Sequence, residues 1–312
     1  MVPVVQLIGG VVVLSLGAQA MVSGGAALAL RFGLTPLIIG LTVMAYGTSA
    51  PELVVSAQAA ARGSGAIAVG NVIGSNLCNL ALILGLSALI RPIASSRAVL
   101  TRDLPVLIGA SVLTVALLAD RVLGRIDGAI FIIILLGYTW FTVRQARVSP
   151  DDAPPTGEPA PRRRPLPLAI GLTLGGLALL LVGADQFVDG AVTIAQQWGM
   201  SEVVIGLTVV AVGTSLPELA LSVVAAARGH GDVALGNVVG SSTFNLLGIL
   251  GFSALVRPTL LPDLDWMDLG VMLGVTVAIF PLLRSGGRLA RWEGAGLILA
   301  YAIYTAVLIN RA

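Results

Sequence analysis

The sequence predicts an all-α membrane protein with ten transmembrane helices in two inverted-topology five-helix repeats. Of its 312 residues, 56% are hydrophobic and only 11% are charged, whereas soluble domains carry roughly 25% charged residues. Ten windows of about 20 apolar residues are long enough to cross a bilayer. One stretch of the chain also occurs twice, at a constant spacing of 166 residues.

The ten predicted spans follow from hydropathy and from the scarcity of charge within each window. They cover residues 4–30, 36–61, 66–90, 99–119, 126–143, 166–195, 202–227, 233–256, 267–283 and 294–310. Tryptophans 140, 198, 266 and 292 all fall at span ends. Indole rings favour the boundary between lipid and water, so these positions support the predicted ends.

The duplicated stretch shows how the spans are organised. Residues 40–92 align without a gap to residues 206–258, and 34 of the 53 paired positions are identical. The match continues upstream, where Gly17 corresponds to Gly183. The repeated unit is therefore five helices long. Because five is odd, the second unit enters the membrane from the opposite face, and inverted repeats of this kind place substrate sites near the bilayer midplane.

A polar segment separates the two halves. Residues 1–143 form the first predicted repeat, residues 144–165 a cytoplasmic linker and residues 166–312 the second repeat. The linker contains six prolines and five arginines, a composition typical of an extended connection. At about 22 residues it is too short for a folded regulatory domain.

The basic residues predict the orientation of the chain. All 18 are arginines; alternating spans put 13 on one side and 5 on the other, and the richer side should be the cytoplasm. Both termini are then extracytoplasmic, and the expected location is the inner (plasma) membrane. No positive charge precedes Arg31, so the first apolar segment is predicted to be a retained helix.

The loop arginines also explain the net charge of +2. Their positions favour contact with lipid over binding of nucleic acid. No obligate protein partner is evident from the sequence.

The chemistry is concentrated in a short motif that each half carries once. It reads Gly-Thr-Ser-Ala-Pro-Glu at residues 47–52 and Gly-Thr-Ser-Leu-Pro-Glu at residues 213–218. Glu52 and Glu218 lie inside apolar runs, where an ionisable side chain is expensive and usually functional. Each proline removes one helical hydrogen bond and loosens nearby carbonyl groups. Hydroxyl oxygens come from Thr48, Ser49, Thr214 and Ser215.

This all-oxygen inventory favours a hard cation. Ca²⁺ takes six to eight oxygen ligands in a flexible shell, whereas Mg²⁺ demands rigid octahedral geometry. Zinc and copper are disfavoured because His230 is the only histidine and Cys78 the only cysteine. The alternative is a purely structural role, in which the two glutamates are protonated or paired and hold two helices together. That role does not explain why proline, hydroxyls and acid recur as a set.

A second motif, Gly-Asn-x-x-Gly-Ser, lies at residues 70–75 and 236–241. Its serines are followed four residues later by asparagines, which places Ser75 with Asn79, and Ser241 with Asn245, on one helical face. These oxygens can enlarge a central site without adding charge. A site of charge −2 is neutralised by one Ca²⁺ and carries +1 with three Na⁺, so exchange between them would be electrogenic.

Together, the two motifs resemble the alpha-repeats of the cation/calcium exchanger superfamily, and the whole chain looks like a prokaryotic sodium/calcium exchanger. The resemblance implies a secondary antiporter that exchanges Ca²⁺ for Na⁺ by alternating access, without a cofactor. It implies Ca²⁺ binding by Glu52 and Glu218, with backbone oxygen from Thr48 and Thr214. It also implies flanking Na⁺ sites that draw on Ala45, Ser49, Ser75, Ala211, Ser215 and Ser241, with Asn79 and Asn245 close to the centre. The first and sixth spans would slide across a rigid core.

The chain departs from the family pattern in two places. Many relatives have an aspartate at one of the positions that match Asn79 and Asn245, and in potassium-dependent members that acid accompanies K⁺ use. Both residues are amides here, so K⁺ coupling is disfavoured. Animal members also carry a large calcium-sensing insert, which the linker at 144–165 lacks.

Several alternatives remain open from the sequence. Exchange of H⁺ for Ca²⁺ on the same scaffold would use the same glutamates. An intramembrane enzyme with Ser49 or Ser215 as nucleophile lacks an imidazole partner, so we expect no enzymatic activity. Duplicated inverted halves favour alternating access over a channel. Asp185 and Asp189 are not duplicated; they could guide cations at the outer vestibule or form a solvated helix end.

Overall fold

The computed structural model describes residues 2–145, 164–198, 211–261 and 264–311. Most of the predicted linker and the first part of the seventh predicted span lie outside the described residues. The helices are α1 Val2–Phe32, α2 Pro36–Thr48, α3 Ala50–Ala61, α4 Gly65–Ile90, α5 Val99–Asp120, α6 Arg125–Arg144, α7 Leu166–Gln197, α8 Ala211–Thr214, α9 Leu216–Ala227, α10 Gly231–Val256, α11 Trp266–Ser285 and α12 Arg291–Arg311.

Most of these helices are long and apolar enough to cross a membrane. Among the described residues, seven qualify singly, and α2 with α3 forms an eighth span if the bent pair is counted as one. They coincide with eight of the ten predicted spans. The other two predictions, 202–227 and 294–310, overlap α9 and the 21-residue α12. The chain is thus an α-helical, multi-pass membrane protein, and the full ten-span count stays a prediction.

Corresponding helices end in the same way in the two halves. α3 and α9 are each followed by an arginine and then by a glycine with positive φ, 83° at Gly63 and 86° at Gly229. Only glycine adopts this backbone region at little cost. In both places the N–H after the glycine bonds a carbonyl five residues earlier, Ser64 to Ala59 and His230 to Ala225, each at 2.8 Å. This pairing satisfies the last helical carbonyls.

Short π-helical turns interrupt the long helices at related positions. α4 contains one at Cys78–Ile83, and α10 contains one at Asn245–Ile249. π-helical turns are rare and frequently occur at functional sites. Asn79 and Asn245 both belong to these turns.

Two pairs of short strands join the halves at the helix ends. β1 (Ile93–Ala94) pairs antiparallel with β4 (Arg288–Leu289), and β2 (Val122–Leu123) pairs antiparallel with β3 (Thr259–Leu260). The first strand of each half therefore bonds the second strand of the other half. These reciprocal pairings tie the two halves together at two separate places.

Burial separates central from peripheral helices. In the most apolar windows of α4 and α10, 72% and 83% of residues are buried, against 28% in α1, α6, α7 and α11. α4 and α10 therefore form the centre of the molecule. The peripheral helices present apolar side chains outward, as helices in contact with lipid do.

α1 and α7 pack against each other through glycines. A Cβ atom placed on Gly17 would lie 2.8 Å from the carbonyl oxygen of Gly176, and one on Gly183 would lie 2.7 Å from the backbone nitrogen of Leu14. Small residues allow membrane helices to approach this closely. The two helices therefore make backbone contact along their length.

Candidate functional site

The site is built where the span of residues 36–61 breaks. α2 and α3 meet at Ser49 with a bend of 46°, and Ser49 has φ −80° and ψ 11°. Ser215 has nearly the same geometry, φ −89° and ψ 7°, between α8 and α9. The sequence predicted a loosened continuous helix, whereas the structure has two helices at each position. Pro51 and Pro217 lie in the first turn of the second helix, where a missing N–H breaks no helical bond.

This break places both acidic side chains in a first helical turn. Glu52 lies in the first turn of α3 and Glu218 in that of α9. Each is only 1% exposed. The two carboxylates lie within electrostatic range of each other, so they converge on one region and do not face lipid separately.

Hydrogen bonds cross from each half to the glutamate of the other. The Ser49 hydroxyl donates to Oε1 of Glu218 at 2.8 Å, and the Ser215 hydroxyl donates to Oε1 of Glu52 at 3.0 Å. The arrangement is reciprocal, as expected if the two halves face each other across a pseudo-two-fold axis.

One oxygen of each carboxylate is left without a protein partner. Oε2 of Glu52 and Oε2 of Glu218 are buried, and neither has a hydrogen-bond partner in the part of the chain that the structure describes. Buried polar atoms are almost always paired. Equivalent carboxylate oxygens are thus left unpartnered in both halves, and both are available to a ligand.

Further oxygen atoms surround the two carboxylates. The hydroxyls of Thr48 and Ser241 lie beside Glu218, and that of Thr214 lies beside Glu52. The Ser241 hydroxyl also donates to the carbonyl of Ala45 at 3.3 Å. The same carbonyl accepts the backbone N–H of Ser49 at 3.1 Å, so it keeps a helical bond despite the nearby proline.

The remaining predicted site residues lie on the neighbouring helices. Ser75 and Asn79 of α4 and Asn245 of α10 are buried. Oδ1 of Asn79 and both polar atoms of the Asn245 amide have no hydrogen-bond partner among the described residues. Ala211 begins α8, one turn before Ser215.

Sequence reasoning missed two serines that brace the site. The amide of Asn71 donates to the Ser56 hydroxyl at 2.9 Å, and the amide of Asn237 donates to the Ser222 hydroxyl at 3.0 Å. These bonds join α4 to α3 and α10 to α9. Both serines recur at the 166-residue spacing, which is the signal that would have identified them.

A second missed pair is Asn76 and Ser242. Both are buried, at 1% and 0% exposure, and their polar side-chain atoms have no partner among the described residues. They occupy equivalent positions, one residue after Ser75 and Ser241. The different residue types at the two positions concealed the correspondence in the sequence.

The geometry fits a cation held mainly by neutral oxygens. Within the described residues, no group of three or more His, Cys, Asp or Glu side chains could hold a metal ion. Two carboxylates with hydroxyl, amide and carbonyl oxygens around them form a donor set of the kind that Ca²⁺ accepts. The Ser49 and Ser215 hydroxyls donate to glutamate carboxylates, and His230, the only histidine of the sequence, lies at the start of α10.

Known proteins match this chain along nearly its whole length. The family model described as sodium/calcium exchanger protein matches residues 2–144 and 168–310. The inner membrane protein YrbG of Escherichia coli (strain K12) is 37% identical over 97% of this chain and 95% of its own length. The sodium/calcium exchanger MaX1 of Methanosarcina acetivorans is 30% identical, with 96% of each chain covered.

A solved structure matches the fold as well. The sodium-calcium exchanger NCX_Mj, soaked with zero Na⁺ and Ca²⁺, superposes with a TM-score of 0.86 at 33% identity, covering 98% of this chain and 99% of that one. The matched family, MaX1 and NCX_Mj are ion exchangers and not enzymes. On the family match, the sequence identity and the shared fold, the chain belongs to the sodium/calcium exchanger family of membrane antiporters.

Proposed function

We propose that this protein exchanges Ca²⁺ for Na⁺ across the membrane by alternating access, and that Glu52 and Glu218 together bind the transported cation. The observation that carries this proposal is the reciprocal pairing of each glutamate with a serine of the other half, which leaves one buried oxygen of each carboxylate unpartnered. A divalent cation between the two carboxylates would satisfy both oxygens and neutralise both charges.

The other ligands follow from their positions around the carboxylates. Backbone oxygens of Thr48 and Thr214 would complete the Ca²⁺ shell. Flanking Na⁺ sites would use Ala45, Ser49, Ser75, Ala211, Ser215 and Ser241, with the amides of Asn79 and Asn245 near the centre. Three Na⁺ against a site of charge −2 would leave one net positive charge, so each exchange cycle would move charge across the membrane.

The proposed architecture has ten spans in two inverted halves, residues 1–143 and 166–312, joined by a cytoplasmic linker at 144–165. The recurrence of helix ends, π-helical turns and strands at the 166-residue spacing supports it. The arginine distribution supports extracytoplasmic termini. The name of the E. coli relative supports an inner-membrane location.

The competing proposal is exchange of H⁺ for Ca²⁺ on the same scaffold. Both carboxylates could carry protons, so the site geometry permits it. Burial lowers the pKa of His230, the only histidine in the sequence, so this residue is neutral near pH 7 and is poorly suited to carry protons to the site. The amides at Asn79 and Asn245 also remove an acid that a proton could use.

Transport of ⁴⁵Ca²⁺ in proteoliposomes under imposed gradients separates these proposals. We expect an outward Na⁺ gradient alone to drive Ca²⁺ uptake, and valinomycin-clamped membrane potentials to change its rate. A pH gradient without Na⁺ should not drive it. Uptake driven by the pH gradient and indifferent to Na⁺ would establish the H⁺ alternative, and a K⁺ gradient serves as the control for ion specificity.

A further inference from the structure

Arg228, at the end of α9, forms hydrogen bonds with two side chains of α1. Arg228 donates from Nη2 to Oε1 of Gln19 at 2.6 Å, and its Nη1 lies 3.4 Å from the Ser23 hydroxyl. Gln19 and Ser23 are four residues apart and share one face of α1. α1 packs extensively along α9, so these contacts lie where the two helices close against each other.

The 166-residue repeat gives this arrangement a counterpart in the other half. Arg228 corresponds to Arg62 at the end of α3, Gln19 to Asp185 and Ser23 to Asp189 on α7. The arginine is duplicated, but its two neutral partners are replaced by two acids. An arginine beside two carboxylates makes charge-assisted hydrogen bonds, which are stronger than bonds to neutral groups.

In the described structure this second contact is not made. Among the described residues, no hydrogen bond or ion pair joins Arg62 to Asp185 or Asp189, and all three side chains are exposed. α7 also lacks the extensive packing along α3 that α1 makes along α9. Among the described residues, a peripheral helix is therefore joined to the core at the Arg228 end and not at the Arg62 end.

The glycine contacts couple the two ends. α1 and α7 approach backbone to backbone at Gly17 and Gly176, so neither can shift far along the core without the other. A movement that brings α7 onto α3 would carry α1 away from α9.

We propose that Arg62 with Asp185 and Asp189 forms an ionic latch in the opposite conformation, and that it alternates with the hydrogen-bonded latch of Arg228 with Gln19 and Ser23. This inference rests on the proposed exchange function. The two aspartates would then stabilise the conformation that is closed on the predicted outer side of the membrane.

The energetics set the size of the expected effect. An exposed ion pair shifts an equilibrium by about twofold to fivefold. Apparent affinity scales with the fraction of protein in the binding-competent state. Loss of the ionic latch should therefore raise the apparent KM for Ca²⁺ presented at the Arg228 face by about twofold to fivefold, and should not raise it at the Arg62 face.

The test measures the apparent KM for Ca²⁺ from each face, in right-side-out and everted vesicles. The variants are Arg62→Gln, Asp185→Asn with Asp189→Asn, the combination of all three, and Arg228→Gln. Arg125→Gln, which removes an exposed arginine from the same predicted side, is the matched control. We expect Arg62→Gln and the double aspartate variant to shift KM in the same direction without adding, because they break one interaction.

Arg228→Gln should shift the two KM values in the opposite direction, and Arg125→Gln should leave both unchanged. Independent, additive effects of Arg62 and the aspartates, or shifts of the same sign for Arg62→Gln and Arg228→Gln, would overturn the latch. Either result is distinct from failure of the proposed function, in which the unaltered protein would exchange no Ca²⁺ from either face.

Discussion

Ser49 and Ser215 connect the two halves of the chain at the candidate site. Each occupies the break between two helices, and each donates to the glutamate that the other half supplies. The hydroxyl fixes one carboxylate oxygen and leaves the other free for a ligand. A serine that held its own helix together by bonding the preceding turn would not orient the opposite glutamate.

Replacing either serine by alanine should weaken Ca²⁺ binding. A hydrogen bond to a charged group contributes about 1.5–3 kcal/mol, so Ser49→Ala or Ser215→Ala should raise the Ca²⁺ dissociation constant by about tenfold or more. Equilibrium ⁴⁵Ca²⁺ binding to the purified protein measures the effect. Ser15→Ala is the control, because that hydroxyl bonds only the Val11 carbonyl of its own helix. Equal affinities for Ser49→Ala and Ser15→Ala would contradict the cross-pairing.

At the residue scale the sequence identified the acids and hydroxyls but not how they pair. Each copy of the motif contains a threonine, a serine and a glutamate in the same order, and its proline predicts a loosened helix. The hydrogen bond from each serine to the glutamate of the other half depends on where the two helix breaks lie relative to each other. A local sequence pattern does not contain that information. Ser56 and Ser222 recur at the 166-residue spacing, but that recurrence alone does not show that their hydroxyls accept from Asn71 and Asn237.

At the scale of helices, α1 and α7 approach each other backbone to backbone. A Cβ atom on Gly176 would lie 2.5 Å from the backbone nitrogen of Met21, whereas nothing lies within 4 Å of the equivalent position at Gly175. Backbone atoms cannot move aside as a flexible side chain can, so the contact between α1 and α7 leaves no room for a methyl group at Gly176.

Gly176→Ala should therefore destabilise the protein, and Gly175→Ala should not. Overpacking of a tight contact costs about 1–3 kcal/mol, whereas alanine in place of an unconstrained helical glycine gains up to about 1 kcal/mol. Thermal unfolding in detergent, followed by size-exclusion chromatography, compares the two variants. If both melt at the temperature of the unaltered protein, the close approach of α1 and α7 is wrong.

Helix positions were largely predictable, because hydropathy and span length decide them. The predicted spans 4–30, 66–90 and 126–143 differ from α1, α4 and α6 by only a few residues at each end. The break at Ser49 was not predicted as two separate helices. A proline loosens a helix or begins a new one depending on the packing around it, and packing is not visible in a single sequence.

At the scale of the whole molecule, the offset of 166 residues relates helix ends, π-helical turns and strands as well as sequence. Antiparallel pairing of β1 with β4 and of β2 with β3 joins the halves reciprocally. The duplication in the sequence predicted this correspondence. The asymmetry between the Arg228 and Arg62 ends was not predictable, because it belongs to one conformation.

The topology can be tested with reporter fusions. We expect alkaline phosphatase fused after Ala312 to be active and green fluorescent protein inserted in the segment 150–160 to fluoresce, because 13 of 18 arginines lie on the predicted cytoplasmic side. A green fluorescent protein fusion after Ala312 is the reciprocal control and should be dark. The reverse pattern would contradict the predicted orientation, and would place Arg62 on the cytoplasmic side and Arg228 on the outer side.

The most direct test of the central claim is Ca²⁺ binding by glutamate variants of the purified protein. We predict one Ca²⁺ per chain for the unaltered protein and a near-complete loss for Glu52→Gln and for Glu218→Gln alone, because removing one of two charges leaves a buried divalent ion uncompensated. Circular dichroism and thermal unfolding confirm that each variant is folded. Undiminished Ca²⁺ binding by the folded double variant would contradict a site shared by the two glutamates.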